Sequence, residues 1–220
     1  YKRQFQNQAE IDAAFGGKGY KNDIMQTSEK YITYPGDMRF EDLNGNDAID
    51  RGSSTVDDPG DMMIIGNTTP RYSYSFRIEA SWNGFDISAF FQGVGHVSFS
   101  TRTDQTLGFN ARNSREANLF SDVYDNYWTP ERLDAKYPRL SSQWNEHNGQ
   151  ANTLYVRNGK MLRLKTAEIG YSYKMMRVYV SGTNLLTFSP FKYWDPEKGS
   201  GNGLSYPLQR TFNLGFQFNF

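Results

Sequence analysis

The sequence predicts an all-β fold: about five antiparallel, up-and-down strands from the C-terminal side of a large transmembrane β-barrel, with long extracellular loops. Three observations predict it. Apolar and polar residues alternate over runs longer than the ~5–6 residues typical of soluble strands. Two-residue turns alternate with long connections, and the chain closes on an alternating aromatic strand. Composition fits the same picture. Aromatics make up 16% of 220 residues, the apolar total is only 37%, and mean hydropathy is −0.73. No run approaches the ~18 apolar residues of a membrane-spanning helix.

Residues 1–70 show little regular pattern and read as an extracellular loop region preceding the first strand. Gln8 to Phe15 has the length of two helical turns before Gly16-Gly17 and Gly19 break it, and the acidic stretch Asp37 to Asp61 is punctuated by glycines. From Arg71 the pattern changes. Tyr72, Tyr74, Phe76, Ile78, Ala80 and Trp82 alternate with Ser73, Ser75, Arg77, Glu79 and Ser81. Asn83-Gly84 supplies the two positive φ angles of a type I′ turn, and the chain returns through Phe85, Ile87, Ala89 and Phe91 toward residue 99. Residues 100–160 form a long polar connection with aromatic clusters.

Alternation resumes with Ala167, Ile169, Tyr171 and Tyr173. Leu162 and Leu164 lie on the other parity, so a bulge, or the point where the strand leaves the lipid, is expected near Lys165-Thr166. Lys174-Met175 forms a tight turn, Arg177 to Ser181 opens the next strand, and a second polar loop covers about 188–205. The last strand carries Phe212, Leu214, Phe216, Phe218 and Phe220 on one face. The strands predicted are 71–82, 85–99, 162–173, 176–187 and 206–220, so residues 71–220 hold the membrane part and all short turns fall on one side.

A soluble β-sandwich would show the same alternation. Strand length, charges on the polar face (Arg77, Glu79, Asp86, Glu168) and the unprotected aromatic last strand favour lipid on the apolar side. Five strands do not close a barrel, whose smallest single-chain bacterial form has ~8. The N-terminal part is therefore expected outside this chain.

The function classes excluded are clear. Lys+Arg and Asp+Glu are 24 each, which argues against a nucleic-acid binder. There is no cysteine, and His96 and His147 have no visible acid–base partner. Gly16-Gly17-Lys18-Gly19 lacks phosphate-loop spacing, and Asp57-Asp58 has no fixed separation. No catalytic set can be assembled, and the chain reads as a non-enzyme.

An ordered series of motifs resembles a known family. These are Phe5-Gln6-Asn7-Gln8-Ala9-Glu10-Ile11, Pro35-Gly36-Asp37-Met38-Arg39-Phe40-Glu41-Asp42-Leu43-Asn44-Gly45-Asn46, Ile65-Gly66-Asn67-Thr68-Thr69-Pro70-Arg71-Tyr72 and Asn83-Gly84-Phe85-Asp86-Ile87-Ser88-Ala89-Phe90-Phe91-Gln92-Gly93. Trp128-Thr129-Pro130-Glu131, Pro138-Arg139-Leu140, Leu162-Arg163-Leu164-Lys165, Tyr179-Val180-Ser181-Gly182-Thr183-Asn184-Leu185 and Tyr206-Pro207 follow in order. The chain resembles the C-terminal part of the SusC-like (RagA-like) TonB-dependent transporters of the Gram-negative outer membrane. The resemblance implies a barrel of about 22 strands with an N-terminal plug, of which residues 71–220 supply the last five. It implies import of an oligosaccharide or peptide into the periplasm, a SusD-like surface lipoprotein as cap, and coupling to TonB through the absent N-terminal part. Loops would be extracellular and the C-terminus periplasmic. The family usually has a longer connection where this chain has only Lys174-Met175-Met176. The alternatives are a soluble or surface-anchored glycan-binding β protein and a non-transport barrel of a secretion or adhesion complex.

Three sets of candidate site residues follow. Asp42, Asn44, Asn46 and Asp50 occupy positions 1, 3, 5 and 9 of an EF-hand-like loop and suit calcium; Asp47 and Ser53 stand where glycine and an acid belong, and a plain Asx-turn loop uses the same residues. Tyr127, Trp128, Trp144, Tyr193 and Trp194 are candidates for contact with substrate or the lipoprotein, or for packing within the loops. Phe216, Phe218 and above all Phe220 resemble the terminal signal read by the barrel-insertion machinery, or form an interfacial aromatic girdle.

Overall fold

Two tight turns organise the sheet. In the computed structural model, which describes residues 1–15, 21–22, 33–103, 105–107, 118–141, 145 and 147–219, Asn83 and Gly84 take φ of +49° and +85° between β5 (Tyr72–Trp82) and β6 (Phe85–Gly95). The hairpin zips without a slip from Trp82↔Phe85 to Tyr72↔Gly95. Lys174, with φ of +52°, makes the equivalent turn between β9 (Met161–Tyr173) and β10 (Met176–Phe188), closing on Tyr173↔Met176. With β11 (Thr211–Phe218), these strands form one antiparallel sheet in the order β11-β10-β9-β6-β5.

The bulge anticipated at Lys165 is present. Phe90 pairs with Thr166 and Phe91 with Leu164, so Lys165 is the extra residue of β9 against β6. Against β10 the register jumps from Thr183↔Thr166 to Leu186↔Leu164. The slip returns Leu162 and Leu164 to the face that carries Ile169 and Tyr171. One face of the sheet is thus apolar along every strand, and it is uncovered: Trp82 is 79% exposed and Phe212 69%. The opposite face carries Ser75, Arg77, Glu79, Asp86, Glu168, Arg177 and Ser181. On the apolar face the Tyr72 and Tyr74 rings lie over Gly95 and Gly93, where any Cβ would strike them.

Two predicted strands are shorter than expected. The segment 85–99 stops at Gly95 because His96 adopts φ of +51°; the chain then forms a separate short strand, β7 (Ser98–Ser100), held by Ser98 N–H donating to Asn67 O. The segment 206–220 becomes regular only at Thr211, opposite Thr183. Beyond that point Asn184, with φ of +52°, breaks the ladder of β10, its amide donates to Gln209 O at 3.0 Å, and Pro207 has no N–H to offer. Phe220 lies outside the described residues.

Residues 1–65 and 101–156 form a second compact unit. In it β1 (Arg3–Gln4) pairs antiparallel with β3 (Met38–Arg39), and β2 (Lys21–Asn22) pairs parallel with β4 (Ala48–Ile49). The helix α1 (Gln8–Phe15) falls where glycine punctuation placed it; Asn7 Oδ1 accepts Glu10 N–H, and Glu10 pairs with Arg3. Its apolar core joins Met38 and Leu107 to Val123, Tyr137, Leu154 and Tyr155, with α2 (Ser121–Asp125) supplying Val123. Gly16, Gly17, Lys18 and Gly19 lie outside the described residues.

Gly84 cannot be replaced cheaply. A Cβ there would press on the Ser172 carbonyl, and φ of +85° is unfavourable for other residues. Gly84→Val in the complete barrel is expected to lower unfolding stability by about 1–3 kcal/mol, measured by urea titration in lipid. An unchanged midpoint would show that the turn is not strained in this way.

Candidate functional site

The polar face of the sheet is built around Arg177. Its parity along β10 is that of Tyr179 and Ser181, so it points away from Val178 and Val180. The guanidinium donates to Asp86 on β6 and to Glu168 on β9, the latter at 2.7 Å, and it lies 4.9 Å from the centre of the Tyr179 ring. One arginine therefore ties three strands together. Gly170 makes room for it: a Cβ there would run into Arg177 and Asp86. On β5, Arg77 pairs with Glu79 at 3.1 Å and lies over the Phe90 ring. Arg77, Glu79, Asp86, Ser88, Thr166, Glu168 and Ser181 line a water-exposed trough. Such a surface holds fixed charges of both signs in contact with water.

A second cluster sits above the bulge. Arg163, only 2% exposed, donates to Asp195 Oδ1 at 2.5 Å and pairs with Glu197 at 3.3 Å, while Lys165 also pairs with Glu197. Asp195 caps the 3₁₀ turn Pro196–Lys198 by accepting Glu197 N–H. Burial raises the Asp195 carboxyl, but the Arg163 hydrogen bond and the Glu197 N–H outweigh it and hold the group below the usual carboxylate range. The loop is thereby fastened to β9. Tyr193 and Trp194 lie in this loop, half-buried. They pack with Phe191 and with Val97 and Phe99, and the Trp194 indole N–H donates to Gly199 O at 2.9 Å.

In the unit of residues 1–65 and 101–156 the hub is Asp37, 1% exposed. Its carboxylate accepts from Arg139 Nε (2.8 Å), Asn145 Nδ2 (3.1 Å), Asn148 Nδ2 (2.9 Å) and Tyr34 N–H (2.8 Å). Trp128 is 7% exposed and seated under Gly36, where no larger residue fits. Tyr127 bridges to Tyr137 and packs against the apolar core. Trp144 lies outside the described residues.

The acidic loop is laid out as a series of turns. Asp42 accepts Gly45 N–H (2.6 Å) and Asp47 N–H (2.8 Å), Asn44 accepts Asn46 N–H, Asn46 accepts Ala48 N–H, and Asp50 accepts Gly52 N–H. Asp61 adds a brace, accepting from Leu43 N–H and Asp50 N–H. Asp42, Asn44, Asn46 and Asp50 are the residues that could hold calcium; here their side-chain oxygens accept backbone N–H groups, and Asp50 Oδ2 also accepts from Asn46 Nδ2 at 3.0 Å. Among the described residues no group of three or more acidic or histidine side chains is arranged around a common metal position.

Arg177, Asp37 and the Arg163–Asp195 pair organise these clusters, and no motif in the sequence singles them out. For Arg177 the parity with Ser181 was available as a signal. For Asp37 and Arg163 the partners are distant in sequence and carry no local pattern.

No family model matches the chain. It is 32% identical, over 84% of its length, to TonB-dependent receptor P3 of Formosa agariphila, and 29% identical over 84% to TonB-dependent receptor P26 of the same organism. Among solved structures, the RagAB peptide importer in its open-open state superposes with a TM-score of 0.55 at 27% identity, covering 70% of this chain and 18% of that one. Its closed-closed state gives 0.56 at 25% identity over 71% of this chain and 18% of that one. The chain belongs to the SusC/RagA-like TonB-dependent receptors. It spans about a fifth of the length of the curated receptors it matches, 19% and 20%. The five-stranded sheet of this receptor segment is accordingly part of a β-barrel, and TonB-dependent receptors are outer-membrane proteins. The named relatives are receptors and importers rather than enzymes.

Burial pushes the His147 imidazole below its ordinary value, against the raising effects of the Met38 carbonyl it bonds and of Asp37. The folded state therefore holds it neutral, while the unfolded chain takes up a proton below about pH 6.5. Stability of the unit should fall as pH drops through that range, by up to about 1.4 kcal/mol per pH unit. His147→Gln should flatten the slope in a protease-resistance assay between pH 7.5 and 5, and an equally steep slope would assign the effect elsewhere. The double change Asp42→Ala and Asp50→Ala is expected to leave the calcium content of the complete protein unchanged, as a plain turn requires; a loss of bound calcium would make these side chains ligands.

Proposed function

We propose that this chain supplies the last strands and outer loops of a barrel that imports a large nutrient, an oligosaccharide or a peptide, across the outer membrane. The observation that carries the reading is the sheet itself. It has an uncovered apolar face, a charged opposite face, two-residue turns at one end and long connections at the other. A membrane barrel needs hydrocarbon on one side and water on the other, short periplasmic turns and longer outer loops. Residues 1–70, 100–160 and 188–205 are then extracellular, and the C-terminus is periplasmic. Both sheet edges, β5 and β11, pair with further strands of the complete protein.

Partners follow from the same reading. A SusD-like lipoprotein caps the barrel, supported by the likeness to the RagAB complex, and TonB acts through the part of the protein outside this chain. Of the aromatics named for contact with cargo or cap, Tyr193 and Trp194 are half-buried and Tyr127 is partly exposed, which supports a contact through the part of each ring left open. Phe216 and Phe218 on the last strand, with Phe220 beyond it, serve assembly.

The test is growth and extraction together. Deleting the complete protein is expected to abolish growth on at least one polymeric carbohydrate or peptide source while growth on the monomers continues. The protein itself should leave the membrane only with detergent. Normal growth on every polymer, or release into buffer, would contradict the reading. Removing Phe218 to Phe220 should sharply reduce assembled, heat-modifiable barrel at the surface, and undiminished levels would refute an assembly role.

A further inference from the structure

The apolar face is not uniform. Near the end of the sheet with the long connections, the Tyr72 and Tyr74 rings lean over Gly95 and Gly93, and the Tyr74 hydroxyl reaches across β6 to donate to Met161 O on β9 at 3.3 Å. Phe188, 57% exposed, stands on the neighbouring β10 opposite Leu162. Between the tyrosine wall and Phe188 runs an open furrow with Leu162 on its floor and Pro190 at its side. Its width is one to two strand spacings, about 5–10 Å, which suits an extended acyl chain.

The furrow ends on a cation. Lys160 lines it, is exposed, and has no ion-pair partner among the described residues. Its backbone is fixed, because Ser189 Oγ donates to Lys160 O at 2.8 Å and Lys160 N–H donates to Asn158 Oδ1 at 3.0 Å. An apolar trough lined at one end by an exposed ammonium is complementary to a molecule with acyl chains and an anionic head. Interfacial tyrosines of this kind mark the level of the headgroups.

We propose that this furrow is a binding site for a phosphorylated acyl glycolipid of the outer leaflet, with an acyl chain along Leu162 between Tyr74 and Phe188 and a phosphate at Lys160. The inference rests on the reading given above, that this face meets hydrocarbon and that the long connections lie outside. The Lys160 ammonium selects the glycolipid over a lipoprotein anchor, which carries acyl chains without a phosphate. The outer end of the furrow selects it over phospholipids of the inner leaflet.

The experiment uses the complete barrel in detergent, titrated with lipid A and with lipid A stripped of its phosphates. Lys160→Ala is expected to weaken lipid A binding about fivefold and Lys160→Glu about twenty-five-fold, with little effect on the stripped lipid. Unchanged lipid A binding in both variants would overturn the proposal, as would equal losses for the stripped lipid. Leu162→Asn should weaken both lipids alike, and no loss of either would remove the acyl chain from the furrow. Whether the face meets lipid at all is read separately. Brominated acyl chains in vesicles should quench Trp82, a signal lost in Trp82→Phe. Quenching with no effect at Lys160 would sink the glycolipid site and leave the barrel standing; absence of quenching would sink both.

Discussion

A pleated strand cannot turn one side chain toward hydrocarbon without turning its neighbours toward the other side, and everything in this sheet depends on keeping that alternation in phase. Eleven-residue and thirteen-residue strands leave long stretches over which a single slip would turn rings into the pore and charges into the lipid. The chain spends its irregularities where they restore the phase. Lys165 is inserted in β9, Asn184 and Leu185 answer it in β10, and Leu162, Leu164 and Leu186 stay on the face of Ile169 and Val180.

The same constraint shapes the water side. Once Val178 and Val180 face outward, Arg177 must face inward, where Asp86 and Glu168 meet it from two other strands. Partly exposed pairs of this sort contribute little stability each, and their use is to fix register and to present a hydrophilic wall. Gly170 and Gly215 are small for the same reason: Arg177 and the Tyr179 ring occupy the space their side chains would need. Above the bulge the polar face changes character. Arg163 is buried beneath the connection between β10 and β11, and its pairing with Asp195 and Glu197 fastens that loop to the strand.

The strands were legible in the sequence because each is specified locally. Period-2 runs such as Tyr72 to Trp82 and turn dipeptides such as Asn83-Gly84 carry their own instructions. The two misplaced ends have different causes: the positive φ of His96 turns the chain locally after Gly95, and the bulge at Asn184 takes away the partner that residues before Thr211 would have needed. The unit of residues 1–65 and 101–156 was illegible as a unit. Its core brings Met38 to Val123, Tyr137 and Tyr155, and its polar hub ties Asp37 to Arg139, Asn145 and Asn148, all through residues 85 to 117 positions apart with no periodic trace. Of the two readings the sequence leaves open for Trp128, contact or packing within the loop, the structure shows packing, because Gly36, far away in sequence, closes over it.

The central claim is most directly tested by spin labels placed one at a time at positions 72–82 of the complete protein in lipid vesicles. Relaxation by oxygen should peak at the even positions and relaxation by a water-soluble nickel chelate at the odd ones, in a strict two-residue rhythm. A flat profile, or even positions shielded from both reagents as under a second protein layer, would contradict the account.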